Sequence, residues 1–139
     1  MHKNAVDKGM YYDAEAKRVA WCGLFDVYTG APQKPYFSFK AYNELYKLGE
    51  EYDFGIQDGD GLSSLGACGQ GGLALMLSNC RGVRHTVNIG ADKLKGYTKA
   101  EVYLIDETHD LELVEIIHMS DLGLEVSADT NSVKLIKFR

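Results

Sequence analysis

The sequence predicts a mainly β protein: a two-layer antiparallel β-sandwich of about seven strands, preceded by one α-helix. Three observations carry this reading. Past Gly49, short apolar stretches alternate with clusters of Gly, Asp and Asn, the punctuation of an all-β unit. Before Gly49, Phe37, Ala41, Leu45 and Leu48 recur at spacings of four, four and three, which stacks them on one face of a helix. Strands that carry one apolar face must bury it against a second layer, and 139 residues suffice for one such core.

In chain order, residues 1–9 show no period. Residues 9–14 (GMYYDA) form a short strand candidate, and residues 21–28 (WCGLFDVY) are a second apolar stretch, followed by the loop TGAPQK. Pro35 suits the first turn of the helix, Tyr42 and Tyr46 widen its stripe, and Gly49 supplies the left-handed residue that ends many helices. The N-cap position falls to Lys34, a poor capper, so the helix start relies on packing. Residues 52–56 are the first expected strand after it. Residues 65–68 lead through the turn GQGG into 73–79 as a hairpin. Further strands are expected at 84–89, with Val87 and Ile89 on one face, and at 100–106, where Val102 and Leu104 alternate with Tyr103 and Ile105. The last three lie at 111–119, at 122–128 with Leu122, Leu124 and Val126 facing one way, and at 133–138. An open sandwich accounts for this series better than a closed barrel.

Composition narrows the function. With 15 basic and 20 acidic residues and no Lys/Arg run longer than two, the chain lacks the electrostatic footprint of a nucleic-acid binder. Cys22, Cys68 and Cys80 are odd in number and show no metal-ligand spacing, so neither a disulfide framework nor a zinc site is expected. They read as buried thiols, which suits a reducing, cytoplasmic setting. No stretch approaches the ~20 apolar residues of a membrane span, and MHKNAVDKGM lacks the apolar segment of a secretory signal. Neither a membrane nor a nucleic acid is an expected partner.

The ordered segments GMYYDA, WCGLFDVYTGAPQKPYFSFKAYNELYKLG, GLALMLSN, VYLIDETHDLELVE and NSVKLIKF resemble the C-terminal end of a glycoside hydrolase of the retaining TIM-barrel clan, clan A, near the β-xylosidase and α-L-iduronidase group. The resemblance implies that residues 1–49 are the tail of a TIM-barrel-like domain, a strand-eight remnant and the final helix, and that residues 50–139 are an accessory β-sandwich. It also implies a piece of a longer protein. Catalysis in that clan uses two glutamates from upstream strands, held about 5 Å apart. Neither position is represented, so the expectation is a chain with no catalytic residue, no metal and no cofactor that hydrolyses nothing by itself.

By the same resemblance, Tyr11, Tyr12 and Trp21 fall where the aromatic floor of the barrel would lie, and Asp13 beside them. Two roles stay open: stacking on and hydrogen bonding to a sugar, or packing against the helix. Asp26 is either a sugar ligand or a turn former, the latter being the commoner role for an acid in such a loop. DGDG, residues 58–61, hints at calcium but lacks the acid that an EF-hand needs twelve residues into its loop, where Gly69 stands, so it reads as a turn. DETHD, residues 106–110, reads as a polar loop, and His85 and His118 as strand residues. Expected partners are carbohydrate, a parent barrel domain, or a second copy joined through the helix. The alternative reading is a carbohydrate-binding module that stacks sugar on Tyr52, Phe54, Tyr103 or Phe138.

Overall fold

The computed structural model describes residues 23–139. Helix α1 spans Lys34–Tyr46. The strands are β1 Glu50–Glu51, β2 Leu62–Gly69, β3 Gly72–Asn79, β4 His85–Ile89, β5 Lys99–Ile105, β6 Asp110–His118, β7 Leu124–Ala128 and β8 Ser132–Phe138. They form an open six-stranded antiparallel sheet in the order β1-β2-β3-β8-β5-β6 and a two-stranded sheet, β4-β7. The sandwich expected from the sequence is present, with unequal layers.

Alternation along the central strands builds two cores. Leu73, Leu75 and Leu77 of β3, Ile136 and Phe138 of β8, and Ala100 and Val102 of β5 face the small sheet, whose Val87, Ile89, Leu124, Val126 and Ala128 complete the cluster. The intervening Ala74, Leu135 and Ile105 turn the other way, onto Ala41 and Leu45 of α1. Strands β3 and β8 are covered on both faces, which is why their sequences, LALML and VKLIKF, are nearly continuous apolar runs.

Helix α1 therefore lies on the outer face of the large sheet. Gln33, not Lys34 as expected, is its N-cap; it too makes no side-chain capping hydrogen bond, and Gly49 follows the helix end with a φ of 95°. Its apolar stripe needs no second copy of the chain, because the chain's own sheet covers Ala41 and Leu45. Tyr46, expected to widen that stripe, points to solvent instead. The Lys137 ammonium, 2.7 Å from Glu44 Oε2, pins α1 to β8, and this hydrogen bond holds the Glu44 carboxyl below its usual range.

Other expectations are corrected. Residues 52–56 are not a strand: the ladder stops after Glu51, and side chains anchor the segment. The Tyr52 hydroxyl donates to Lys93 O (3.0 Å), and the Phe54 ring stacks on Phe138 (5.6 Å between centroids). This crossing lies so close to β2 that a Cβ at Gly66 would overlap Tyr52 O and the Phe54 ring, which explains glycine there. Strand β7 begins at Leu124, two residues later than expected, and leaves Leu122 exposed in the preceding turn. Cys80 is exposed rather than buried, because β3 ends at Asn79, and Cys68 is half-buried; both are free thiols. Cys22 and the strand candidate at 9–14 lie outside the described residues.

Candidate functional site

Among the described residues, a cleft of about 730 Å³ opens where the start of α1 meets one end of the large sheet. Three segments wall it: the first turn of α1, the β5–β6 loop and the β7–β8 turn. Lys34 ties the first two together, because its ammonium donates to His109 O (3.0 Å) and Asp110 Oδ1 (2.6 Å). The third is shaped by Asn131, whose φ of 55° turns the chain and whose Oδ1 accepts a hydrogen bond from Arg81 N (3.0 Å). Thr130 Oγ1 donates to Gly82 O (2.7 Å) and Ser132 Oγ to Asp129 O (2.6 Å). Ser78, Ile105 and Val133 contribute to the lining from the helix side of the sheet.

The acid at this cleft with the richest set of partners is Asp106. Its Oδ1 accepts hydrogen bonds from the backbone of Thr108 (2.8 Å) and His109 (2.9 Å) and from the Thr108 hydroxyl (3.2 Å), and His109 Nδ1 lies 2.8 Å away. Burial acts to raise its pKa, but the hydrogen bonds from the His109 side chain and from Thr108 and His109 outweigh it and bring it down to about 2. A carboxyl that stays ionised far below neutrality cannot donate a proton to a leaving group, the task that requires a raised pKa. Asp106 is a turn former, and residues 106–109 form the polar loop expected at 106–110, whose last residue, Asp110, already belongs to β6.

The pH dependence follows. The folded pKa lies below the ordinary carboxylate value, so the stabilisation is complete above about pH 4 and disappears as pH falls through about 2. Thermal melts of the wild type and Asp106→Asn should differ at pH 5 to 7 and converge between about pH 4 and pH 2. A difference that stays constant across that window would show that Asp106 does not act through its charge.

The remaining candidates resolve similarly. Asp26 Oδ1 accepts from Tyr28 N (3.0 Å), Thr29 N (2.8 Å) and Thr29 Oγ1 (2.9 Å); the bonds from Thr29 and Tyr28 lower its pKa, as in a tight turn. Residues 58–61 are also a turn, in which Asp58 accepts from Ser64 N and Oγ (both 2.9 Å) and Gly59 and Leu62 exchange backbone hydrogen bonds. Among the described residues no three His, Cys, Asp or Glu side chains converge to hold a metal ion. His85 Nε2 lies 3.2 Å from Asp60 O, and His118 is exposed at the end of β6. Tyr11, Tyr12, Asp13 and Trp21 lie outside the described residues.

The aromatics named for sugar stacking are occupied. Phe138 is fully buried, Tyr52 and Phe54 pack edge to face at 4.9 Å, and the Lys137 ammonium sits 5.1 Å from the centroid of Tyr103. The cleft residues Lys34, Ser38, Ser78 and Asn131 carried no signal in the sequence. Lys34 and Ser38 are one turn apart on α1, and strand order brings them beside Ser78 and Asn131, which are far away in the chain. Among the described residues no helix is long and apolar enough to cross a membrane.

No family model and no curated protein sequence matches this chain. Solved structures do. A GH30 endoxylanase from Clostridium papyrosolvens C71 superposes with a TM-score of 0.66 at 9% identity, covering 78% of this chain and 28% of that chain. A glycoside hydrolase family 30 subfamily 8 xylanase from Clostridium acetobutylicum superposes with a TM-score of 0.66 at 11% identity, covering 84% and 30%. The fold of this chain is thus one that recurs as part of two GH30 xylanases, and the chain spans less than a third of either.

Proposed function

We propose that this chain is the non-catalytic C-terminal portion of a clan A glycoside hydrolase: residues 1–49 the tail of its barrel, residues 50–139 its accessory sandwich. Its role is to pack against and support the barrel. The observation that carries the reading is the unequal coverage, most of this chain against less than a third of two xylanases. One feature of the described residues agrees with it: Asp106 is committed to a turn. In the assembled enzyme, Tyr11, Tyr12, Asp13 and Trp21 would form one wall of the sugar pocket, and carbohydrate would be the substrate of the whole.

The test uses the purified chain with aryl xylosides and with xylan, arabinan and glycosaminoglycan oligosaccharides. No turnover and no saturable binding are expected. Turnover that tracks the chain through purification would overturn the non-catalytic reading. Saturable binding lost on Tyr103→Ala or Trp21→Ala would favour a carbohydrate-binding module.

A further inference from the structure

We infer that Asp60 is a site of spontaneous covalent modification, isomerising to isoaspartate through a succinimide formed with the nitrogen of Gly61. The inference is independent of the scaffold reading above. DGDG, residues 58–61, holds the same dipeptide twice. A peptide nitrogen attacks the preceding aspartate side chain most readily when it belongs to glycine, because no side chain stands in the way. The sequence gives no reason to prefer either copy, but the hydrogen bonds do. In Asp58–Gly59 both reacting groups are engaged: Asp58 Oδ1 accepts from Ser64 N and Oγ (both 2.9 Å), and Gly59 N donates to Leu62 O (3.0 Å). In Asp60–Gly61, among the described residues, neither the Asp60 carboxylate nor Gly61 N has a hydrogen-bonding or ionic partner, and both residues are exposed.

The reaction needs only water. Gly61 N bonds to Cγ of Asp60 and gives up its proton, while one carboxyl oxygen, protonated from solvent, leaves as water. Water then opens the five-membered ring. Attack at Cγ restores aspartate; attack at the α-carbonyl carbon breaks the original C–N bond, returns a proton to solvent and routes the main chain through the side chain. Asp60 and Gly61 are the central residues of the two-residue hairpin turn 59–62, with φ of 48° and 86°. The glycines on either side of Asp60 permit the backbone rotation that ring closure requires.

The product does not fit where the reactant did. The 59–62 turn interlocks with the turn after β3: Cys80 N donates to Gly61 O (3.0 Å), and His85 Nε2 lies 3.2 Å from Asp60 O. The two turns approach so closely that a Cβ on Gly82 would overlap Asp60 O, and one on Gly61 would overlap Cys80 O. Isomerisation lengthens the main chain by one carbon at this contact and converts the Asp60 carbonyl into a free carboxylate. The two turns then separate, and the ends of β2 and β3 lose the bond that ties them.

The experiment incubates the full chain in mildly acidic buffer at body temperature, with and without denaturing urea. Isoaspartate is measured at each position by peptide mapping with fragmentation that distinguishes the isomers. In urea, Asp58 and Asp60 should convert at similar rates. In the folded chain Asp60 should convert several-fold faster than Asp58. Asp60→Gly, which suits the left-handed conformation, should abolish the product. Aged wild type should melt below the fresh protein, and aged Asp60→Gly should not. Equal rates at the two positions of the folded chain would overturn the assignment. So would the absence of isoaspartate at Asp60 over the time in which the urea-treated chain converts. Isoaspartate at Asp60 with no fall in Tm would overturn the separation of the two turns.

Discussion

Replacing Phe138 with alanine should lower the free energy of unfolding by about 3–5 kcal/mol, the usual cost of deleting a fully buried phenylalanine ring. Phe138 is 0% exposed and contacts the rings of Phe54 at 5.6 Å and Tyr97 at 6.1 Å between centroids. Its backbone pairs with Leu73 of β3 on one side and Ala100 of β5 on the other. The ring thus fills the point where the central strands, the 52–56 crossing and the loop before β5 meet, and these elements cannot collapse into the space without losing register. In a chain of this size the midpoint of thermal unfolding should fall by roughly 10–20 °C. Urea unfolding with unchanged m-value would check it; a loss below about 1 kcal/mol would mean that this cluster is not the core.

The second large effect belongs to Asn79, the last residue of β3 and 1% exposed. Its amide donates to Val83 O (2.7 Å) in the turn after β3 and to Ala128 O (3.0 Å) at the end of β7, joining the two sheets. Among the described residues its Oδ1 has no hydrogen-bond partner, so its contacts there are the two it donates. Asn79→Ala leaves the buried Ala128 carbonyl without this donor, while the Val83 carbonyl, on an exposed residue, can turn to water, so it should cost about 1–3 kcal/mol, the cost of one buried unsatisfied group. Asn79→Asp should cost more at neutral pH, because it turns a charged acceptor toward two carbonyls. The sign of its pH dependence is opposite to that of Asp106: the introduced carboxyl has a raised folded pKa, so the penalty shrinks as acid protonates it. Melts of both variants from pH 4 to 8 would show this. Equal stability of Asn79→Asp and wild type at pH 7 would contradict the assigned role.

Much of this fold was legible locally. The GQGG punctuation between 65–68 and 73–79 marked the β2–β3 hairpin, and Val87 and Ile89 alternated as they do against the large sheet. The spacing of Ala41 and Leu45 likewise announced which face of α1 would be buried. Local period also misled. Tyr52 and Phe54 alternate like a strand, yet beyond the bond from Tyr52 N to Gly66 O the segment leaves the ladder, and its rings pack on each other and on Phe138, contacts invisible in the sequence. The candidate site was less legible still, because Lys34, Ser38, Ser78 and Asn131 share a cleft only through the order of the strands.

The comparison of β3 with β6 separates the two kinds of information. LALML and LELVEII both announce apolar strands, and each sequence specified its own extended conformation through side-chain period and propensity. Burial was decided by position: β3 lies between β2 and β8 with layers on both faces, while β6 is an edge whose two register shifts turn Leu113 and Ile116 outward. Periodicity is a property of a few neighbouring residues. The pairing of β8 with both β3 and β5, the division into sheets of six and two strands, and the face left open beside α1 depend on contacts between distant parts of the chain, which only the assembled structure supplies.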